Sequence, residues 1–372
     1  MNKGLEEQDN PFFYGGIVRN EFFCNRILEK QELKRDIHNG LNLLIYAPRR
    51  FGKTSFVLQT LEELECKFVF IDFMSILSIE DFINKYFNAI AKNLKEPMEK
   101  VIDFCKNILK IKPNISVNFG SNGEANFSLN FSANEVRQTL EDVLNLPFLL
   151  AKKGKKFVVV FDEFQEIENF GYESLFRSCL QMHGKEVSYI FMGSKKSLLD
   201  SMFMDKKRAF YKSVKHFIID TISLEDWSEF IQKRFSAKGK QIETHFIEEI
   251  FKITKGFPYY TQQFAYELWN FTQNAVDEKC FQTTLKLILE RENDYFALEW
   301  ENLTKNQRIA LKIVLEQKGA KLYDNALLKN SSLQTALNGL KVKDILDKRG
   351  QVYYLVDPVF EYWLKECRGL GI

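Results

Sequence analysis

The chain has 372 residues, 45% hydrophobic and 27% charged, with a net charge of +2. That length accommodates two or three domains with sizeable cores. The near-neutral balance excludes a global field that would by itself draw in nucleic acid or membrane, so any such contact has to be a local patch.

The 35 Phe against 7 Pro predict well-filled cores and few rigid loops. Six cysteines, at 24, 66, 105, 179, 280 and 367, lack metal-ligand spacing and read as thiols in a reducing cytoplasm. The first residues are polar, and no apolar run approaches the length of about 18 that a membrane span needs. Neither a signal peptide nor a transmembrane helix is expected, and the expected location is cytoplasmic.

Residues 10–39 open with NPFFYGG and continue through FFCNR into an amphipathic helix. Asn25 and Arg26 are candidate contacts to a nucleobase; an ordinary N-terminal helix start with a solvated Arg fits the residues equally well. Leu41–Ser55, LNLLIYAPRRFGKTS, is the stretch the chain is organised around. An apolar strand runs into a polar loop, Ala47-Pro48-Arg49-Arg50-Phe51, and then Gly52-Lys53-Thr54-Ser55 opens a helix. This is the order of a phosphate-binding loop. Its backbone N–H groups converge on polyphosphate oxygens, Gly52 permits close approach, Lys53 reaches the β- and γ-phosphates, and the Thr54 hydroxyl suits Mg²⁺. Ala47 stands where the pattern has Gly, which requires a negative φ there.

KFVFIDF (67–73) reads as a buried parallel strand, followed by a helix over 79–94. Residues 113–132 alternate apolar and polar on both sides of Asn122-Gly123, predicting a β-hairpin with a type I′ turn inserted in a strand–helix alternation. FVVVFDE (157–163) places Asp162 and Glu163 at the carboxyl end of a buried strand, where open α/β sheets bind ligands. Asp162 suits a Mg²⁺-coordinating acid, and Glu163 a base that orients attacking water. Gln165 and Glu166 read as solvated. VSYIFMGS (187–194) is a further strand; Ser194 either senses the γ-phosphate or sits in a plain turn. Lys195 and Lys196 extend the basic character and read as solvated. Arg208, in FMDKKRAFYK, either contacts phosphate, in cis or across a subunit, or lies in a solvated loop.

HFIIDT (216–221) is a fifth strand. Ser223 caps a helix with Asp226 three residues on. In TKGFPYY, Gly256 stops one helix and Pro258 starts another; Pro258 either marks that corner alone or packs against adenine. Residues 302–363 read as helix, helix, a short strand after a Gly turn, and a terminal helix, the pattern of a winged helix. Lys341, Lys343, Lys348 and Arg349 are offset there by Asp344 and Asp347.

These segments together resemble the archaeal-type P-loop ATPases of the STAND branch of the AAA-like NTPases, bacterial members included. The resemblance rests on NPFFYGGIV with FFCNR, IYAPRRFGKTSF, FVFIDF, VVVFDEFQEI, FMGSKKSLLDSMF, RAFYK, TKGFPYY and DPVFEYWL, and spans about residues 10–365. It implies an α/β fold: a RecA/AAA-like P-loop domain with a parallel sheet (1–222, hairpin insertion at 113–132), a helical lid (223–298) and a C-terminal winged helix (299–372). It also implies that Lys53, Thr54, Asp162 and Glu163 keep the roles above, that Ser194 falls at the sensor position, and that Gly256-Phe257-Pro258 forms a lid corner on base and sugar. The Asn25-Arg26 segment departs from the usual family box, because Ile27-Leu28 intervene before Glu29.

The resulting expectation is an ATP-binding, Mg²⁺-dependent ATPase acting as a nucleotide-controlled conformational switch. The alternative is an ATP-gated DNA-binding protein with weak or no hydrolysis; a small-molecule kinase is the third class. ATP and ADP are the expected ligands, with a protein partner expected, DNA contact through the winged helix and homo-oligomerisation left open, and no membrane partner.

Overall fold

The computed structural model of the chain describes residues 10–94, 99–100, 103, 109, 114–121, 123–151, 156–324 and 327–370. The chain forms two compact units: Ile27–Ala47 with Phe56–Ile219, and Met1–Arg26 with Pro48–Ser55 and Asp220–Ile372.

The first unit is built on a parallel sheet. Its strands in chain order are β1 (Leu43–Tyr46), β2 (Lys67–Asp72), β3 (Asn114–Phe119), β4 (Ala125–Asn130), β5 (Phe157–Asp162), β6 (Val187–Gly193) and β7 (Lys215–Ile218). Five of them pair in the order β2-β5-β6-β1-β7, every neighbour parallel. Parallel neighbours need crossovers, and helices supply them. Every residue of β5 and β6 is buried, which is why both read as unbroken apolar runs rather than alternating ones.

The register decides what shares an edge. Asp72 lies opposite Asp162, and Tyr46 opposite Gly193. Because all strands point the same way, Asp162, Glu163, Ser194 and Ala47 leave the sheet at one carboxyl edge. Around the sheet lie α1 (Ile27–His38), the body of α2 (Lys53–Glu63), α3 (Ile79–Asn93), α4 (Val136–Ala151), α5 (Glu173–Gln181) and α6 (Lys196–Met204). The core is largely aromatic: Phe73, Phe82, Phe161, Phe164, Phe176 and Phe191 belong to one buried cluster, where each ring removes a large apolar area from water.

β3 and β4 form a separate antiparallel hairpin whose ladder runs from Asn114↔Asn130 to Phe119↔Ala125. It is fastened to α3 by two side chains: Asn84 accepts from the Leu129 amide (2.7 Å) and Asn88 from the Phe127 amide (2.9 Å). These bonds satisfy donors that a two-stranded sheet would otherwise leave to water. The type I′ turn expected at Asn122-Gly123 depends on Asn122, which lies outside the described residues, as do Pro113 and Cys105.

The second unit is helical: α7 (Leu224–Ala237), α8 (Thr244–Thr254), α9 (Pro258–Phe271), α10 (Glu278–Glu301), α11 (Lys305–Glu316), α12 (Asn330–Val342) and α13 (Pro358–Arg368), with a hairpin of β8 (Leu346–Arg349) and β9 (Val352–Leu355) between the last two helices. Phe12, Trp227, Phe235, Phe264 and Phe281 share its core. The corner between α8 and α9 requires glycine: Gly256 has φ +74°, and a Cβ there would stand 2.4 Å from the Ile222 carbonyl oxygen. The sequence pattern gave one short strand after the Gly turn and left the residues before that turn to the preceding helix. The helix instead ends at Val342, and Leu346–Arg349 is a strand, two of whose four residues are buried.

No helix among the described residues is long and apolar enough to cross a membrane. No disulfide joins the described cysteines.

Candidate functional site

Two groups of side chains carry chemistry, one in each unit. In the first unit, β5 delivers Asp162 and Glu163. Glu163 adopts a left-handed backbone, φ 48° and ψ 43°, a conformation uncommon for a residue with a side chain. Its amide donates to Asp162 Oδ1 at 3.0 Å. Its Oε2 accepts from the Ser194 amide (3.2 Å), the Ser194 hydroxyl (2.9 Å) and Gln165 Nε2 (2.5 Å). A carboxylate oxygen has room for few donors, so the ends of β5 and β6 are clamped through one oxygen.

Gln165 was read from sequence as solvated; it is 2% exposed. It fits because its neighbour on β6 is Gly193, where a Cβ would lie 2.2 Å from Gln165 Oε1. Glu166 is only partly exposed and pairs with Lys195 at 3.0 Å, so Lys195 too is less solvated than expected. Arg208 is held by Glu168 and by Glu173, and these carboxylates raise its affinity for its proton. Any phosphate contact by Arg208 would exchange those partners.

In the second unit lies the loop segment. Arg50 (φ 64°) and Gly52 (φ 80°) are left-handed, whereas Ala47, in the other unit, is not among the positive-φ residues. Ala in place of Gly therefore costs no backbone strain there. Lys53 begins α2 and is 7% exposed; its Nζ lies 3.5 Å from the Pro48 carbonyl. Arg49 is exposed and Thr54 half-buried. The Ser55 hydroxyl accepts from the Val18 amide at 2.9 Å, tying the N-terminal segment to the first turn of α2.

The Arg50 side chain turns to the helices. Its Nη1 donates to the Tyr260 hydroxyl (2.8 Å) and to Glu292 (2.9 Å), with its guanidinium 4.7 Å from the centre of the Tyr259 ring. Tyr260 in turn donates to Asp357, the N-cap of α13, whose carboxylate accepts from the Val359 and Phe360 amides. Burial raises the Asp357 pKa. The loop is thus wired through α9 and α10 to the last helix.

A cavity opens beside Phe51 and Gly52, also lined by Phe22, Trp227, Pro258 and Gln262. Arg26 lines it as well, with its guanidinium 5.6 Å from the Phe51 ring centre and Nη1 donating to the Asp220 carbonyl at 2.8 Å. Asn25 is not among its lining residues. Tyr14, Tyr259 and Gln262 are lining residues that sequence reasoning missed. For Gln262 a signal existed, since it stands four residues after Pro258 and so on the same face of α9.

One unit thus carries a phosphate-type loop with a largely aromatic cavity beside it, and the other an acid pair at the carboxyl edge of a parallel sheet. The family description of an ATPase domain predominantly from Archaea matches residues 23–264. The chain belongs to this family. This P-loop ATPase also matches solved structures over most of its length. Against the Walker-type ATPase PABY2304 of Pyrococcus abyssi it is 20% identical, covering 93% of this chain and 97% of that one, with a TM-score of 0.64. Against the ORC2 protein of Aeropyrum pernix, solved as ADPNP and ADP complexes, it is 11% identical, covering 93% and 96%, with a TM-score of 0.54. At such identities the likeness shows the α/β P-loop fold. A comparison with curated proteins finds no significant match.

Proposed function

We propose that this ATPase is a Mg²⁺-dependent conformational switch controlled by the nucleotide it holds. The observation that carries the reading is the path from the phosphate loop to α13: Arg50 to Tyr260 to Asp357, with Glu292 on the flank. A loop that shifts with the γ-phosphate would pull on that path, and the last helix would follow.

In this reading the backbone of Ala47, Pro48, Arg49, Arg50, Phe51 and Gly52 and the first turn at Lys53, Thr54 and Ser55 hold the phosphates. Lys53 neutralises the β- and γ-phosphates, and Arg26 and Pro258 border the base. Asn25, the other candidate base contact, does not line the cavity. Glu163 accepts the proton of the attacking water, and Ser194 orients that carboxylate. In its resting geometry Glu163 Oε2 already accepts three donors, so turnover waits until the clamp loosens; slow hydrolysis follows. Arg208 joins only if Glu168 and Glu173 release it.

The donor set suits Mg²⁺. Thr54 offers a hydroxyl and Asp162 a carboxylate, both oxygen donors, and no cluster of three or more His, Cys, Asp or Glu that could hold a metal exists among the described residues. Mg²⁺ is commonly held by one or two such oxygen donors together with substrate phosphates. When bound, Mg²⁺ would offset phosphate charge.

The proposed partition is a P-loop domain (1–222), a helical lid (223–298) and a winged helix (299–372), with a protein partner and self-association as open consequences. The hydrogen-exchange rates of the α13 amides test the switch. Protection at Val359 and Phe360 should differ between ADP and a non-hydrolysable ATP analogue; identical rates would contradict it. A second reading, ATP-gated DNA binding with weak hydrolysis, rests on Arg349, which is 80% exposed at the β8–β9 hairpin and would have to exchange its Asp220 partner (3.7 Å) for phosphate. An ATP-dependent DNA mobility shift that weakens steeply with salt would support it.

A further inference from the structure

Gln262 lies in the cavity beside the phosphate loop and is 3% exposed. Its Nε2 donates to the Phe22 carbonyl at 2.7 Å. A carbonyl only accepts, so this bond fixes which end of the amide is nitrogen and which is oxygen. Its Oε1 is closed to water and has no hydrogen-bond partner among the described residues. Buried acceptors are rarely left unmatched, because they give up water and receive nothing in exchange.

Several of the other polar groups lining the cavity have partners. Tyr14 donates to Glu267, the Ser55 hydroxyl accepts from Val18, the Cys24 thiol faces the Asp226 carbonyl, and Arg50 is paired with Glu292. Much of the rest is aromatic: Phe22, Phe51 and Trp227 offer faces and edges suited to a flat ring.

We infer that Gln262 Oε1 reads the exocyclic amino group of adenine and sets the preference for ATP over GTP. The inference rests on the nucleotide-site reading and deepens it. Adenine presents an N–H donor at position 6. Guanine presents a carbonyl there, which would set acceptor against acceptor. The Phe22 carbonyl, by holding Nε2, stops the amide from flipping to suit guanine. Because Oε1 is sealed, an entering base displaces a side chain to reach it rather than water.

The test is equilibrium titration of the full chain, with Mg²⁺, against ATP, GTP and purine riboside triphosphate, which lacks only the amine. ATP should bind about tenfold or more tightly than the amine-free analogue, with GTP weaker still. In Gln262→Leu that ratio should fall towards one while ATP binding persists through its phosphates. Equal affinity of the unmodified chain for ATP and the amine-free analogue would overturn the role of Gln262 and leave the nucleotide site standing. Failure of every triphosphate to bind would overturn both. The analogue comparison needs no variant, so it decides the matter even if Gln262→Leu does not fold.

Discussion

The acid pair at the end of β5 and the cavity beside Phe51 are assembled by opposite means. The acid pair comes from one unbroken strand, and its geometry is fixed by the sheet register and one neighbouring strand. The cavity draws on four distant segments, around Phe22, Phe51, Trp227 and Gln262. Chemistry that must be placed rigidly is carried on consecutive residues. Recognition of a ring is spread over side chains that only folding brings together.

Substituting the acid pair should break chemistry and spare recognition. Glu163→Gln should lower ATP turnover by roughly a hundredfold to ten-thousandfold, the range a positioned general base supplies, with ATP affinity nearly unchanged in a titration. Lys53→Ala should do the reverse, weakening ATP binding by roughly tenfold to a hundredfold through loss of a charge-assisted contact. A Lys53→Ala protein with unchanged affinity would remove the loop from the site.

The next effect sharpens the contrast within the acid group. Gly193→Ala sets a Cβ into Gln165 Oε1. Overpacking of this kind costs about 1–3 kcal/mol, read as a lowered urea midpoint, and should shift Glu163 enough to slow turnover. Unchanged stability and turnover would mean the clamp is slack.

The most gradual effect is a pH dependence that originates in the sheet unit. His183 is fully buried. Asn145 Nδ2 donates to the Glu141 carbonyl, so its oxygen faces His183 and accepts from Nε2 at 2.8 Å; the Tyr189 hydroxyl then donates to Nδ1 at 2.6 Å. This neutral tautomer is favoured, and burial pulls the pKa down from 6.5 to about 4. Between those values the unfolded chain binds more protons than the folded one. The stabilisation is therefore complete above pH 6.5 and declines as pH falls to about 4, by at most about 1.4 kcal/mol per pH unit. Urea unfolding at pH 7 and pH 5 should show this loss, and His183→Asn should shrink it.

The same contrast explains what was legible in the sequence. The loop at Leu41–Ser55 and the strands ending at Asp162 and Gly193 were readable because consecutive residues carry them. Gln165 was misread because EFQEIENF looks like a polar surface; its burial depends on Gly193, a residue on another strand. The strand Leu346–Arg349 was missed because three of its four residues are charged, leaving no alternation to see. Of the cavity lining, Arg26, the loop residues Arg50, Phe51, Gly52 and Ser55, and Pro258 were anticipated as nucleotide contacts. Tyr14, Tyr259 and Gln262 gain their meaning from packing that no local pattern encodes.

The most direct test is the nucleotide found on Glu163→Gln after incubation with Mg–ATP, separated from free ligand and identified by chromatography. If the loop at Lys53 and the acid pair serve one triphosphate, the variant should retain intact ATP while the unmodified protein yields ADP. Recovery of ADP from both would contradict the assignment of Glu163, and recovery of no nucleotide from either would contradict the site itself.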